Sequence, residues 1–153
     1  MNKGGIGRAF QKMFEENTYW GWALFRWYYD PEMKALSVFK YPKFIVWFTK
    51  KWLAREVKKV ADAHGIGRHS KEEVYSIMYA DLKALSDYLG KKKFLFGDKP
   101  CEMDCAIFGQ LAQMYWHCFE FPILIDYCDR MKDTIWPDWD KCITYGGTQK
   151  ASG

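Results

Sequence analysis

Two cysteines, Cys101 and Cys105, stand one helical turn apart at the start of a predicted helix. The amino end of a helix favours the thiolate, which lowers the pKa of a thiol and activates it. Asp104 opposes this effect because it adds a negative charge beside Cys101. Two interpretations stay open, a redox-responsive pair and a helix cap with a core neighbour, and the second is favoured. The five cysteines of the chain contain no CxxC pair, which indicates reduced thiols in a cytosolic setting.

Two histidines, His64 and His69, flank a Gly-Ile-Gly run at 65–67. Metal binding is the less favoured interpretation, because the cysteines lack zinc-site spacing. A phosphate loop is also disfavoured, since the run lacks the full glycine pattern and follows a predicted helix instead of a strand. We expect Gly65 to end the helix in the left-handed conformation, and Arg68 and His69 to bind its last carbonyls. The sequence predicts no metal, catalytic or cofactor-binding residue.

Two predicted helices begin with a capping pattern. Ser70 and Glu73 have the spacing of a capping box, in which the hydroxyl accepts from the third amide and the carboxylate accepts from the cap amide. Cys101 and Asp104 repeat that spacing later in the chain. Sulfur accepts hydrogen bonds weakly, so we expect the second cap to be poorer by about 0.5–1 kcal/mol.

Basic residues cluster on a helix predicted from about Lys43 to His64. Its expected inner face consists of Ile45, Phe48, Trp52, Leu53, Val57, Val60 and Ala61. The cations Lys51, Arg55, Lys58 and Lys59 are expected on the opposite face. A solvated face is the favoured interpretation. The alternative is contact with an anionic surface, either membrane phospholipid or an acidic protein segment. Nucleic acid is disfavoured, because 19 acidic residues balance the 23 basic ones.

Aromatic side chains are unusually frequent, with 11 Phe, 10 Tyr and 8 Trp making up 19% of the chain. This much large apolar area predicts a thick core or a surface that another domain covers. On the first predicted helix the aromatics surround more than the roughly 100° that one packed face needs. The candidate docking surface there consists of Tyr19, Trp20, Trp22 and Trp27.

Length and composition restrict the class of protein. A chain of 153 residues with 49% apolar and 27% charged residues is typical of one soluble globular domain. The longest uncharged run, Cys105 to Phe119, has 15 residues, which is short of the roughly 20 that a membrane-spanning helix needs. Charged residues throughout the first thirty positions argue against a signal peptide.

Helical periodicity runs through almost the whole chain and predicts an all-α fold. Pro31, Gly65 and Gly90 mark helix ends, and Pro122 marks a helix start. The expected helices are Arg8 to Tyr29, Lys43 to His64, Ser70 to Gly90, Cys101 to about His117, and Phe121 to Trp136. A connector with a short helical turn is expected at 32–42.

Particular segments carry a family resemblance. The segment 97–104 resembles the capping turn that opens the buried central helix of glutathione transferase C-terminal domains, with Cys101 in place of the usual Ser or Thr. More specific matches are the segments 10–20, 64–70, 81–86 and 136–139. They identify the chain as a member of the failed axon connections family, a branch of the metaxin-like glutathione transferases, from about Ile6 to Asp140.

The resemblance implies a glutathione transferase C-terminal-like bundle of five or six helices at 1–143, followed by a disordered tail at 144–153. In such proteins a thioredoxin-fold half precedes the helices and holds most of the glutathione. We expect that half to be absent from this chain. No catalytic or glutathione-binding residue is therefore carried over, and no cofactor is expected unless a thioredoxin-fold half is supplied.

Two functional hypotheses follow from the resemblance. The first is a non-catalytic protein-interaction module in axon development or at a membrane surface. Its partner would be a protein, a thioredoxin-fold domain, an anionic membrane or a second copy of the chain. The alternative is the helical half of a glutathione transferase-like stress-response enzyme, with Trp20 and Tyr115 lining an apolar substrate pocket. The expected location is cytoplasmic, or peripheral to a membrane such as the mitochondrial outer membrane.

Overall fold

The computed structural model describes residues 3–30, 42–115 and 120–139. Within these ranges the chain forms five helices. Helix α1 runs through four consecutive segments, Lys3–Lys12, Met13–Thr18, Tyr19–Leu24 and Phe25–Tyr29, and is followed by α2 (Lys43–His64), α3 (Lys71–Leu89), α4 (Glu102–Gln113) and α5 (Pro122–Ile135). The described part contains no strand beyond one bridge between Phe94 and Gly97. The predicted all-α fold is confirmed.

Some predicted boundaries change. Helix α1 begins at Lys3, five positions before the predicted Arg8, and α4 ends at Gln113 where the prediction extended to about His117. The chain leaves α4 through a tighter turn, in which the Met114 N–H donates to Leu111 O at 3.0 Å. Most of the predicted connector, the tail at 144–153, and Cys118 and Cys142 lie outside the described residues.

Helix α1 contains two π-helical segments, Met13–Thr18 and Phe25–Tyr29. A π turn holds an extra residue, so each segment rotates the face that the rest of the helix presents to its neighbours. Helix α1 therefore packs its side chains against more than one partner. Phe14, in the first π segment, is fully buried in the main core.

The core has two clusters of buried side chains. The main cluster fills the space between α1, α3, α4 and α5, and its fully buried members include Phe14, Leu85, Leu89, Leu95, Ile107, Leu111, Leu124, Tyr127 and Met131. The second cluster joins α1, the carboxyl end of α2 and α3, and consists of Leu24, Ala61, Ile66, Val74 and Met78. Trp22 packs against both clusters and links them.

The turn between α2 and α3 has the predicted glycine end and the predicted Arg68 contact, whereas the His69 side chain lies beside Glu73 and not beside the last carbonyls of α2. Gly65 adopts a φ of +114° and its N–H donates to Ala61 O at 2.9 Å. Ile66 is buried against the second core cluster, and Arg68 Nε donates to Asp62 O at 3.1 Å. A residue with a Cβ atom would be strained at this φ, so glycine is required where α2 ends.

The expected inner face of α2 is largely wrong. Phe48 is 71% exposed and Trp52 is 62% exposed, whereas Ala61 is fully buried. At about 100° per residue, Trp52 lies about 180° around the helix from Ala61. The apolar residues of α2 therefore form two stripes on different sides, and the helix packs through the stripe that contains Val57 and Ala61. Ile45 and Val60 are also exposed.

Candidate functional site

An apolar cavity of about 510 Å³ lies between α1, α3, the end of α4 and the start of α5. Its walls include Trp22 and Phe25 from α1, Met78 from α3, Met114 after α4 and Phe121 before α5. A space of this size falls in the range of small-molecule sites, which are mostly apolar with few polar groups. This cavity is the candidate functional site.

Aromatic rings form one wall of the cavity. The ring centroids of Phe25 and Tyr75 lie 6.2 Å apart, those of Tyr75 and Tyr79 also 6.2 Å, and those of Tyr79 and Phe121 4.9 Å. The four rings make a continuous row across α1, α3 and the start of α5. Rings at these distances leave faces and edges for a flat apolar ligand to contact.

Polar groups occur at the edge of the same space. Arg26 and Asp30 line the cavity, and the Arg26 guanidinium lies 5.2 Å from the centroid of the Trp27 ring. The Tyr75 hydroxyl donates to Glu120 Oε1 at 3.4 Å, and burial raises the pKa of Tyr75. These groups can orient a ligand that carries one polar atom on an apolar body.

Helices α1 and α3 approach closely beside the cavity. A Cβ atom built on Gly21 would lie 2.6 Å from both Cγ and Sδ of Met78, a distance that requires Met78 to move. Glycine at this position lets α1 lie against α3 while Met78 still reaches the cavity. The local sequence thus fixes the depth of the site.

A buried carboxyl group ties the first π segment of α1 to α3. Asp81 Oδ2 accepts from Thr18 Oγ1 at 2.7 Å and from Asn17 Nδ2 at 2.8 Å. Burial raises the pKa of Asp81 even though both hydrogen bonds favour the charged form. The contact holds α1 in the register that turns Trp22 and Phe25 towards the cavity.

The cap at the start of α4 is part of the core. Asp104 is fully buried. Its Oδ1 accepts from the Leu95 N–H and from the Tyr127 hydroxyl, both at 2.9 Å, and its Oδ2 accepts from the Cys101 N–H at 2.9 Å. Sequence analysis assigned Asp104 to capping but missed Leu95 and Tyr127, because those partners come from a loop and from α5.

The surroundings of Cys101 favour the cap interpretation over the activated thiol. Burial, together with the hydrogen bond from the thiol to Asp104 Oδ2 at 3.0 Å, raises the pKa of Cys101. These two effects oppose the favourable field of the helix end. Cys105 is exposed one turn later.

The other predicted cap has the expected geometry. The Glu73 N–H donates to Ser70 Oγ at 3.2 Å, and the Ser70 N–H donates to Glu73 Oε2 at 2.8 Å. His69 Nδ1 lies 3.5 Å from the same carboxylate oxygen. Hydrogen bonding to the Ser70 backbone lowers the pKa of Glu73. This box is exposed to solvent, in contrast to the box at Asp104.

The four cations predicted on α2 do not act alike. Lys58 hydrogen-bonds Asp62 Oδ1 and donates to Gly67 O at 2.9 Å, so it fastens the end of α2. Lys51 lies over the Trp47 ring, with Nζ 4.3 Å from the ring centroid. Arg55 and Lys59 are exposed.

Lys51, Arg55 and Lys59 are exposed to solvent, as the favoured interpretation expected, but they are not opposite the aromatics. Phe48 and Arg55 are seven residues apart, as are Trp52 and Lys59. Each pair therefore lies within about 20° around the helix. The exposed cations share the solvent-facing side with the exposed aromatics, and the predicted opposition of a basic face and an apolar face is wrong.

The candidate docking surface on α1 is divided between different environments. Tyr19 is 37% exposed, whereas Trp20, Trp22 and Trp27 are half-buried. The Trp20 ring packs 5.7 Å from the ring of His64, and Trp22 lines the cavity. These four side chains form no common exposed surface among the described residues, so the predicted docking surface is corrected on that point.

The pocket residues predicted for an enzyme also differ from those observed. Trp20 lies outside the cavity, and so does Tyr115, whose hydroxyl donates to Asp129 Oδ1 at 3.0 Å. Burial raises the pKa of Tyr115 to about 12. Tyr75 and Tyr79 were missed, although their i,i+4 spacing beside the core positions of α3 is a signal that could have identified them.

The described residues contain neither a metal-binding cluster nor a helix that could span a membrane. No three His, Cys, Asp or Glu side chains within residues 3–30, 42–115 and 120–139 are close enough together to hold a metal ion. None of the helices in these ranges combines the length and the apolar character that crossing a membrane requires.

Comparison with known proteins gives matches to one family. The family model described as glutathione S-transferase, C-terminal domain, matches residues 78–131. The chain is 37% identical over 113 residues to Failed axon connections of Drosophila melanogaster, a match that covers 66% of this chain and 27% of that protein. It is 30% identical over 145 residues to the isoprene-epoxide–glutathione S-transferase of Rhodococcus sp. (strain AD45), covering 81% of this chain and 58% of that protein. No solved structure matches significantly.

Proposed function

We propose that the helices of this chain bind a small apolar molecule in the cavity between α1 and α3. The chain matches the glutathione S-transferase C-terminal domain family and is related to Failed axon connections. The chain spans 27% and 58% of the two relatives named above. The proposed role is therefore that of a helical ligand-binding unit. Glutathione would take part only together with a thioredoxin-fold half.

The observation that carries this proposal is the aromatic wall of the cavity. The rings of Phe25, Tyr75, Tyr79 and Phe121 line a space of about 510 Å³, and Arg26 and Asp30 supply charge at its edge. An apolar body with one polar atom would displace water from the rings and place that atom at the edge. The family match supports the same class, since one relative is named for transfer to isoprene epoxide, a small and largely apolar molecule.

Calorimetric titration with naphthol tests the proposal. Naphthol offers two fused apolar rings and one hydroxyl, and so matches the wall and its polar edge. We expect saturable binding to the wild-type chain. The double variant Tyr75→Ala/Tyr79→Ala removes half of the ring row and should weaken binding about tenfold, since each aromatic contact contributes about 0.5–1.5 kcal/mol.

A matched control separates the cavity from apolar surface in general. Trp52 is a large aromatic side chain that is 62% exposed on α2, outside the cavity. Trp52→Ala should leave naphthol affinity unchanged, and circular dichroism should show the same helicity for all variants. Equal loss of affinity in both variants, or no saturable binding to the wild type, would contradict the proposal.

A second candidate function is the interaction module, which the exposed side of α2 favours. Its partner would be a protein, a thioredoxin-fold domain, a second copy of the chain or an anionic membrane, and its setting would be axon development or a membrane surface in the cytoplasm. The exposed rings of Phe44, Phe48 and Trp52 support this candidate. Sedimentation velocity tests whether the partner is a second copy of the chain. A dimer in the wild type that is lost in Phe44→Ser/Phe48→Ser would establish self-association through α2.

A further inference from the structure

The exposed side of α2 has an aromatic row in its amino-terminal half. Phe44 and Phe48 are each 71% exposed and Trp52 is 62% exposed. The three residues follow one another at intervals of four, so they form one row that turns slowly around the helix. No other row of aromatics in the described residues is exposed to this extent. Apolar rings on a protruding helix face indicate a surface that a partner covers.

Exposed cations lie along the same side, from Lys51 near the middle of the helix towards its carboxyl end, where Asp62 is paired with Lys58. Lys51, Arg55 and Lys59 are exposed and also follow at intervals of four. The segment Lys43 to Arg55 contains four basic residues, Lys43, Lys50, Lys51 and Arg55, and no acidic residue. The cationic row therefore begins beside the end of the aromatic row, at Lys51 and Trp52, and extends beyond it along the same side of the helix. The Lys51 ammonium also lies 4.3 Å from the centroid of the ring of Trp47, a further exposed aromatic residue of α2.

We propose that this side of α2 docks on an anionic lipid bilayer, with the rings of Phe44, Phe48 and Trp52 among the acyl chains and the cations at the headgroups. A partner that covers this side must offer an apolar interior for the rings and negative charge for the cations, next to each other. The exposed side of a single helix is convex, and a bilayer surface deforms around such a shape. Tryptophan and lysine fit the boundary because each has an apolar body and a polar end.

The order of the two rows sets the orientation of the helix. The aromatics lie towards Phe44 and the cations towards Lys59, about 22 Å further along the helix at 1.5 Å per residue. Helix α2 would therefore tilt, with its amino-terminal half deeper and its carboxyl end at the headgroups. Ala61, which faces the bundle, stays in contact with the second core cluster. Docking requires no rearrangement of the core.

This inference rests on the interaction-module candidate and names its partner. It is independent of the cavity, because none of the docking side chains lines that space. Naphthol binding can therefore fail while vesicle binding succeeds, and the reverse can also occur. The two proposals are tested by different variants.

Vesicle flotation tests the inference. The probe is unilamellar vesicles of phosphatidylcholine and phosphatidylserine in equal parts, with pure phosphatidylcholine vesicles as the comparison. We expect the chain to float with the anionic vesicles and much less with the neutral ones. Raising the salt concentration should weaken the binding, because it screens the cations.

Two sets of variants separate the contribution of the cationic row to vesicle binding from that of the aromatic row. Lys51→Glu/Arg55→Glu should lower the affinity for anionic vesicles by more than tenfold, since each cation near the surface contributes about fivefold. Lys91→Glu/Lys99→Glu makes the same charge change at exposed positions between α3 and α4 and should leave binding close to wild type. Phe44→Ser/Phe48→Ser should release the chain from anionic vesicles, whereas Ile135→Ser on α5 should not.

Several results would contradict the docking of α2 on an anionic bilayer. Equal binding to neutral and anionic vesicles would show that the cations do not select an anionic surface, and equal effects of the two charge-reversal variants would show that α2 is not the docking element. The chain could also fail to bind vesicles and form a dimer instead. If Phe44→Ser/Phe48→Ser dissociates that dimer, a second copy of the chain covers this side. That result would overturn the bilayer and leave the interaction module standing. Circular dichroism checks that every variant is folded.

Discussion

Helices α1 and α2 are both rich in aromatic residues, yet the structure uses those residues in opposite ways. On α1, Phe14 is fully buried and Trp22 and Phe25 line the cavity. On α2, Phe48 and Trp52 are largely exposed, and the helix packs through smaller side chains such as Ala61. The sequence predicted a docking surface on α1 and placed Phe48 and Trp52 on the inner face of α2.

Helices α1 and α2 differ in the number of elements that pack against them, and this difference determines whether their aromatic side chains are buried. Helix α1 has partners on several sides, and its two π segments rotate its faces towards them. Helix α2 contacts its neighbours mainly at its carboxyl end, where Ala61 and Val57 meet the second core cluster. Apolar character alone indicates that a residue can be buried, but the number of neighbouring elements determines whether it is.

The same substitution on the two helices should give the largest difference in stability. Phe14→Ala removes a fully buried ring and should lower the free energy of unfolding by about 3–5 kcal/mol. Phe48→Ala removes a ring that is 71% exposed and should change it by less than about 0.5 kcal/mol. Urea denaturation measures both. Similar losses for the two variants would break the comparison.

The two capping boxes allow a second test of interior against surface. Asp104→Ala would leave the Leu95 N–H without its buried acceptor and the Tyr127 hydroxyl with only the backbone carbonyl of residue 104, at 3.3 Å, and should cost about 3 kcal/mol. Ser70→Ala removes an exposed cap and should cost about 1 kcal/mol. Thermal unfolding of both variants gives the ranking. A larger loss for Ser70→Ala would contradict the assignment of Asp104 to the core.

The smallest effect concerns pH. Burial raises the pKa of Asp81 above its ordinary value of 3.8, so the folded state binds the proton more tightly than the unfolded state. The cost of the buried charge is present above the raised pKa and is removed as the pH falls through it towards 3.8. Asp81→Asn keeps an acceptor for Asn17 and Thr18 without the charge.

We therefore expect Asp81→Asn to be slightly more stable than the wild type at neutral pH, with the difference shrinking as the pH falls. The contribution of the exposed Glu73 to the free energy of unfolding has the opposite sign. Its lowered pKa stabilises the folded state above pH 4.5, and this stabilisation is lost in acid. Urea titrations of the wild type and Asp81→Asn at several pH values measure the difference. A gap that widens in acid would show that Asp81 is not buried as described.

Local signals in the sequence were sufficient for the helices and their caps. Glycine at 65 and 90, the Ser70 and Glu73 spacing, and proline at the first position of α5 act within one turn of the chain. Asp104 was assigned correctly as a cap residue, but its role in the core depends on Leu95 and Tyr127, which are brought to it by folding. Periodicity alone does not supply such contacts.

The candidate site could be predicted only in part. The resemblance to glutathione transferases predicted an apolar pocket with a wall from the first helix, but Trp20 and Tyr115 were the wrong residues. The π segment Phe25–Tyr29 changes which side chains of α1 face inwards, and helical spacing at 3.6 residues per turn does not include such a shift. The spacing of Tyr75 and Tyr79 could be read from the sequence. Their place in the cavity could not, because it depends on the packing of α1 against α3.

The most direct test of the account follows the indole N–H resonances of the chain by NMR while naphthol is added. Trp22 lines the cavity, and Trp47 and Trp52 are exposed on α2. The account predicts that the Trp22 resonance shifts and saturates with naphthol, whereas the resonances of Trp47 and Trp52 stay in place. Tryptophan-to-phenylalanine variants assign the three signals. Shifts at Trp47 and Trp52 with none at Trp22 would contradict the central claim that the aromatics of α1 form the ligand site and those of α2 form an outer surface.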